Sequence, residues 1–304
     1  MLSAAIDSYL AVRRAAGFQL RVPESLLRSF AAFAATHDEH YVTAQRAIQW
    51  AGQAPSTHQR CRRLDVVRIF ARHARAEDPR HDLPPTYLFP RSRPPFLPFV
   101  FTPDQLRQLL LAASELTPHG SLRPWTYCTL LSLLAVTGLR ISEALALRVG
   151  DITADGLVIR QTKFRKSRLV PIHQTTVAGL QRYLDRRRRV AGACDHVFVS
   201  LRARPLVYPT VVGVFLALVR DIGLHPGPGE RGPRIHDLRH SFAIRALEAC
   251  PADRHQVGAH MLALSTYLGH AKIASTYWYL HATPHLLADV ADACEQFAGT
   301  RSSL

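Results

Sequence analysis

Across roughly the first 85 residues, apolar positions recur at steps of three and four in "MLSAAIDSYLAVRRAA", "ESLLRSFAAFAATH" and "RCRRLDVVRIFARHARA". That is the period of helices that bury one face. The pattern stops at "PPTYLFPRSRPPFLPFVFTP", residues 84–103, whose seven prolines and lack of glycine predict a stiff, extended connection. It resumes in "TPDQLRQLLLAASEL", where Thr102 is placed to cap and Pro103 to occupy the first helical position. "WTYCTLLSLLAVTGLR" is almost wholly apolar and predicts a buried helix that Gly138 ends or bends. "RISEALALRVGDI" reads as helix again. The period then changes: "DGLVIRQTKFRKSRLVPIH" sets β-branched runs on either side of a polar, basic turn, which predicts a strand, a hairpin tip and a second strand. Helices follow over 174–192 and 209–222, and the Pro/Gly loop "HPGPGERGPR" precedes a last clear helix in "IHDLRHSFAIRALEA". The expected fold is mainly α with a small antiparallel β-sheet: a helical domain over 1–88, a Pro-rich linker over 89–101 and a second domain over 102–304.

Composition adds limits to this outline. A length of 304 residues suits two domains, and 47% hydrophobic residues suffice for two cores. No apolar run approaches the roughly 20 residues of a membrane span, so no membrane role is expected. The N-terminus carries Asp7 and lacks a charged start followed by an apolar block, so no signal peptide is read. The cysteines Cys61, Cys128, Cys194, Cys250 and Cys294 are scattered, with no C-x-x-C pair. That spacing argues against a zinc site or a disulfide framework and fits reduced thiols in a cytosol.

Charge changes the picture more. The formal net charge is +15, and the excess is spread: the first hundred residues hold 14 basic and 8 acidic side chains, the remainder 24 and 15. A field of this kind suits a polyanion, with nucleic acid the default partner and a merely solvated basic surface the alternative. One predicted helix concentrates it in Arg60, Arg62, Arg63, Arg68, Arg72 and Arg75. Those arginines suit a DNA backbone or, equally, a solvated face. Only Lys163, Lys166 and Lys272 are lysines among the 38 basic residues, and two of the three stand in the predicted hairpin tip.

Five polar sites interrupt the apolar context: Arg140 in "TGLRISEAL", Lys163 at the hairpin, His236 and Arg239 in "IHDLRH", and His270 in "LGHAKIASTYWYLH". Tyr277 and Tyr279 end that last motif. Singly, each has an ordinary reading as a cap, a solvated turn residue or core. Together they match in-line attack on a phosphodiester. Two permanently charged forks can hold the non-bridging oxygens. Histidines can donate to the same oxygens or move a proton, a lysine can protonate the leaving oxygen, and a tyrosine can bond to phosphorus. His236 and His240 are four apart, as two metal ligands on a helix would be, but no acidic partner cluster accompanies them and no metal is expected. There is no P-loop or dinucleotide fingerprint. No cofactor is expected, because transesterification through phosphotyrosine conserves the bond energy.

In this order the motifs "TGLRISEALALRVGDI", "TKFRKSRLVPI", "HDLRHSFA" and "LGHAKIASTYWYLH" resemble those of the tyrosine site-specific recombinases, the phage-integrase and Xer-like family. The resemblance is strongest from Thr137 to His281. It implies that Arg140 and Arg239 clamp the scissile phosphate, Lys163 is the general acid, and His236 and His270 support the phosphate and the proton transfers. Glu143 would orient the site. The family spacing of nine residues from the second histidine assigns the nucleophile to Tyr279 and leaves Tyr277 a packing or positioning role. The resemblance further implies a 3′-phosphotyrosyl intermediate, a Holliday junction and four protomers on double-stranded DNA. With these come a core-binding N-terminal domain (with Arg60, Arg63, Arg68 and Arg72, and Lys166 of the hairpin, on DNA), an accessory or sister recombinase as a further partner, and cytoplasmic, nucleoid-associated action in a prokaryote. A mobile-element role in integration, excision or resolution fits the "TYWYL" neighbourhood. A type IB topoisomerase-like relaxing enzyme and a non-catalytic DNA-binding protein are the alternatives. The tail after Tyr279 is expected to form a short amphipathic helix that docks on a neighbouring protomer.

Overall fold

The computed structural model describes residues 2–90, 98–160, 167–224, 226–227, 232–249, 254–270, 273–277 and 279. Lys163, Lys166, Lys272 and the tail from 281 onward lie outside them. The chain forms two compact units, Met1–Phe96 and Leu97–Leu304.

The first unit consists, among the described residues, of four helices: α1 (Leu2–Ala15), α2 (Arg21–Ala35), α3 (Ala44–Gly52) and α4 (Thr57–Glu77). Their apolar stripes meet in a core of Ile6, Leu10, Leu27, Phe30, Trp50, Val67 and Phe70. Thr43 and Ser56 start α3 and α4 by accepting hydrogen bonds from the backbone amides of Arg46 and Gln59. The arginines of α4 do not form one continuous basic face. Arg60 donates from Nε to the carbonyl of Ala54 (2.9 Å). Arg63 donates to the carbonyl of Trp50 (3.1 Å) and lies over that indole. These two are half-buried and tie the start of α4 to α3. Arg68 is also half-buried, and Arg62, Arg72 and Arg75 face solvent.

The second unit is mainly helical around a small sheet. Its elements are α5 (Pro103–Ser114), α6 (Leu122–Thr137), α7 (Ile141–Ala146), β1 (Ile152–Thr153), β2 (Gly156–Ile159), β3 (Arg168–Val170), α8 (Gln174–Arg187), α9 (Tyr208–Asp221), α10 (Asp237–Glu248), α11 (Arg254–Leu268) and the single turn α12 (Ala274–Tyr277). Thr102 and Gln105 form the capping box of α5 with Pro103 at its first position. α6 is buried along most of its length, through Tyr127, Leu130, Leu131, Leu133 and Leu134, and packs on α5, α8 and α10. Gly138 ends it at φ 60, a left-handed conformation that glycine adopts cheaply.

Among the described residues the sheet has three antiparallel strands in the order β1-β2-β3, with Leu157 opposite Val170 and Ile159 opposite Arg168. Two differences from the sequence reading stand out. The helix expected over "RISEALALRVGDI" lasts six residues before a 3₁₀ turn (Val149–Asp151) and β1 replace it. The chain turns there because Arg148 and Val149 bond to the segment around Asp195 and His196 instead of continuing the helical ladder. The helix expected over 174–192 stops at Arg187, whose guanidinium is buried on the carbonyls of Cys194, His196 and Val197.

Candidate active site

The C-terminal ends of two helices, the buried α6 and the half-exposed α11, converge at one place. Gly138 closes α6, and Gly269, at φ 66, follows the last residue of α11. The final carbonyls of a helix have no partner within it, and the helix dipole makes them more negative. Two arginines take them. Arg239, on the first turns of α10 and 2% exposed, donates from Nη1 to the carbonyl of Gly138 (2.7 Å) and from Nη2 to that of Leu268 (2.8 Å). Arg140, immediately before α7, donates to the carbonyls of Leu268 (3.4 Å) and Gly269 (3.1 Å). Two guanidinium groups thus share one carbonyl oxygen. Burial, and then the charge of Arg140, push the Arg239 pKa down to about 10, so it remains a cation at neutral pH.

Glu143 lies three residues past Arg140, on the same helical turn, and its side chain is 7% exposed. It accepts from Arg140 Nη1 (2.8 Å) and from the Arg140 backbone amide (3.1 Å). Arg168 of β3 bonds both of its oxygens, at 3.0 and 2.8 Å, and donates from Nε to the carbonyl of Tyr267 (2.9 Å). Burial alone would raise the Glu143 carboxyl, but Arg168 first and Arg140 second outweigh it and hold the pKa at about 2. Arg168 escaped the sequence reading, since nothing in "SRLVPI" distinguishes it from a surface arginine on a strand.

His270 sits just beyond Gly269. Arg239 Nη2 is 3.0 Å from its Nε2, and Thr276 Oγ1 is 2.7 Å from its Nδ1. A guanidinium can only donate, so Nε2 accepts, the proton is on Nδ1, and the fully buried Thr276 accepts it. Burial, and then Arg239, lower the His270 pKa to about 4. Thr276 also escaped the sequence reading, because its partner is not visible in the pattern.

His236 is the residue before α10, and its ring packs edge-on against His240 at 4.7 Å. The protein packed around it and the charge of Arg239 hold it below the ordinary histidine range, although part of its surface is open to solvent. Its side chain does not cap the helix; Asp237 instead bonds the backbone and guanidinium of Arg234. Tyr279 is 3% exposed among Ala243, Ile244, Leu247, Met261, Leu264 and Leu268. Its ring centroid lies 5.4 Å from that of His240 and 6.1 Å from that of His270. Burial raises its pKa, and the charge and hydrogen bond of Arg239 counter part of that rise. Arg140, Glu143, Arg239, His270 and Tyr279 are therefore gathered in one place, with His236 and His240 beside them. Lys163 belongs to the connection between β2 and β3, outside the described residues. Among the described residues no group of three or more His, Cys, Asp or Glu side chains is arranged to hold a metal ion, and no helix is long and apolar enough to cross a membrane.

Residues 100–285 match the phage integrase family. A protein of Sinorhizobium fredii named as an integrase/recombinase, y4rB, is 40% identical over 296 residues, which is 94% of each chain. The tyrosine recombinase XerD of Caulobacter vibrioides is 33% identical over 245 residues, 79% of this chain and 75% of that one. The fold is also that of solved structures at low identity. The Tn1549 transposon integrase in complex with transposon right end DNA matches with a TM-score of 0.67 at 18% identity, over 98% of this chain and 99% of that one. A lambda integrase tetramer bound to a Holliday junction matches with a TM-score of 0.66 at 17% identity, over 91% and 76%.

Proposed function

The chain belongs to the phage integrase family of tyrosine site-specific recombinases, enzymes that cut and rejoin DNA strands, and we propose that it does so through Tyr279, on duplex DNA, as a tetramer that passes through a Holliday junction. The Tyr279 oxygen attacks phosphorus, the phenolic proton leaves, and the bond from phosphorus to the 5′ oxygen breaks. The products are a 3′-phosphotyrosyl bond and a 5′ hydroxyl. Lys163 protonates the departing 5′ oxygen, and reversal of the same steps by a 5′ hydroxyl from the partner strand completes the exchange. Arg140 and Arg239 neutralise the non-bridging oxygens, where charge accumulates in the transition state. His236 and His270 contribute to holding the phosphate and to moving the proton. Neutral at physiological pH, His270 can take a proton at Nε2 once a phosphate draws Arg239 away.

The observation that carries this reading is the pair of guanidinium groups on the Leu268 carbonyl, at 3.4 and 2.8 Å, with the ring of Tyr279 close by. Three guanidinium groups, those of Arg140, Arg168 and Arg239, stand here with one carboxylate, Glu143, which bonds Arg140 and Arg168 but not Arg239, and this leaves an excess of positive charge that a phosphodiester would balance. The burial of Tyr279 means that its hydroxyl must become accessible before it can attack. DNA as the partner and a tetrameric assembly are supported by the solved integrase complexes, one with transposon right end DNA and one a tetramer bound to a Holliday junction. A mobile-element role is supported by the transposon integrase and by the relative from Sinorhizobium fredii.

The test begins with selection of a target site by covalent trapping on nicked duplexes of randomised sequence. A supercoiled plasmid carrying two copies of that site is then incubated with the protein. Recombinant circles are expected. Relaxation without exchange would favour a topoisomerase-like enzyme, and binding without nicking would contradict the proposal.

A further inference from the structure

Glu143 stands between two guanidinium groups and treats them unequally. Arg168 occupies it as a fork, Nη1 on Oε1 at 3.0 Å and Nη2 on Oε2 at 2.8 Å. Arg140 reaches only Oε1 with its side chain, through Nη1 at 2.8 Å, while its backbone amide bonds Oε2 at 3.1 Å. The two-pronged arrangement is the strongest an arginine and a carboxylate can make. Arg168 is itself fastened to the chain beside the Leu268 carbonyl that Arg140 and Arg239 share, without bonding that carbonyl. Its Nε is on the carbonyl of Tyr267 at 2.9 Å. Its guanidinium also lies so close to Gly269 that a Cβ there would stand 2.7 Å from Nη1. Gly269 is at φ 66, so glycine serves there both for its backbone conformation and for this contact.

We propose that Arg168 is a positioning residue that occupies Glu143 and so prevents it from drawing Arg140 into a full fork; this rests on the reading of Arg140 as a phosphate clamp. Without Arg168, Glu143 would be a buried carboxylate with the Arg140 guanidinium as its nearest cation, three residues away on the same turn. A buried charge left with half its partners costs more than the rotation of one side chain. The Arg140 guanidinium would turn onto Glu143 and away from the Leu268 and Gly269 carbonyls, and its charge would be neutralised where an anion needs it. The strand β3, which ends the hairpin, thus acts on the clamp without touching the substrate.

The experiment measures the rate of covalent adduct formation on the trapped nicked duplex, together with DNA affinity. Arg168→Met should slow adduct formation roughly tenfold or more, the scale of one charge-assisted hydrogen bond lost from the transition state. Affinity should change far less. Adding Glu143→Gln to Arg168→Met should bring the rate back toward that of Glu143→Gln alone, because a neutral amide does not hold Arg140. Arg168→Lys, which keeps the charge but not the fork, should fall between wild type and Arg168→Met. A merely structural role for Arg168 predicts the opposite, a double variant as slow as Arg168→Met or slower, and that result overturns the proposal. Should Arg168→Met not fold by circular dichroism, the same comparison is made with Arg168→Lys alone and with Glu143→Gln. Arg140→Ala separates the two levels of the argument. If it forms adduct at the wild-type rate, the clamp reading fails and the proposal falls with it. If it is inactive and the rescue is absent, only the role of Arg168 fails.

Discussion

A guanidinium that is only 2% exposed, as Arg239 is, needs negative partners, and here they are the end carbonyls of α6 and α11 together with the imidazole of His270. Carbonyls carry partial charge only, so the site retains a net positive field in which neighbouring histidines resist protonation. His240 is held at about 3 by burial first and then by His236 and the surrounding arginines, and His270 at about 4. A histidine whose folded pKa lies below its unfolded value of about 6.5 gains a proton on unfolding whenever the pH lies between the two. Its contribution to stability is therefore complete above about pH 6.5 and is lost as the pH falls toward the folded value. Glu143, with its pKa lowered to about 2, loses its contribution only below the ordinary carboxylate range. Thermal melts of the full chain should show the midpoint falling by several degrees between pH 7 and about 5.5, before the loss from Glu143 begins. A flat profile over that interval would contradict the neutral histidine cluster. At this scale the sequence, through its motifs and the family they resemble, singled out Arg140, Glu143, His236, Arg239, His270 and Tyr279 as candidates. It could not reveal Arg168 or Thr276. Arg168 matters through a carboxylate 25 positions away and Thr276 through one ring nitrogen, and neither relation leaves a period or a motif.

Among the elements, the hairpin has the clearest chemical consequence. β2 and β3 pair from Leu157–Val170 to Ile159–Arg168, so the connection that includes Lys163 and Lys166 leaves the sheet directly beside Arg168, the partner of Glu143. An arginine cannot serve readily as an acid, because its pKa is above about 12, whereas lysine starts near about 10.4 and shifts more easily. Lys163→Ala and Lys163→Arg should therefore both cleave slowly, by roughly 10²-fold or more if the lysine is the general acid. A substrate with sulfur at the bridging 5′ position leaves without a proton and should restore cleavage in both. Lys166→Ala should keep its chemistry and lose affinity in a salt-dependent way. Rescue of Lys166→Ala with Lys163→Ala left inactive would reverse the roles, and rescue of neither would remove the hairpin from acid catalysis. The strands of the hairpin were legible because β-branched residues flank a polar tip. β1 was not, since its two residues owe their conformation to pairing with β2 and not to their own pattern.

On the scale of the whole molecule, two separately cored units each carry positive charge, and only part of it is available to a polyanion. Arg60 and Arg63 spend donors on the carbonyls of Ala54 and Trp50, whereas Arg72 faces solvent. Composition could not separate these two uses, because both place arginine on one helix. If α4 follows a DNA backbone, Arg72→Ala should weaken binding about equally on all sequences and lower the salt slope by about 1. Arg63→Ala should act through the stability of the first unit instead. An unchanged salt slope for Arg72→Ala would take α4 off the DNA.

The proposed chemistry depends on one bond, that between Tyr279 and phosphorus. The protein trapped on a nicked duplex, digested and mapped by peptide mass, should carry a nucleotide adduct on Tyr279. Tyr279→Phe should bind the same duplex and form no adduct, while Tyr277→Phe still forms it. An adduct on Tyr277, or on any other residue, would contradict the account.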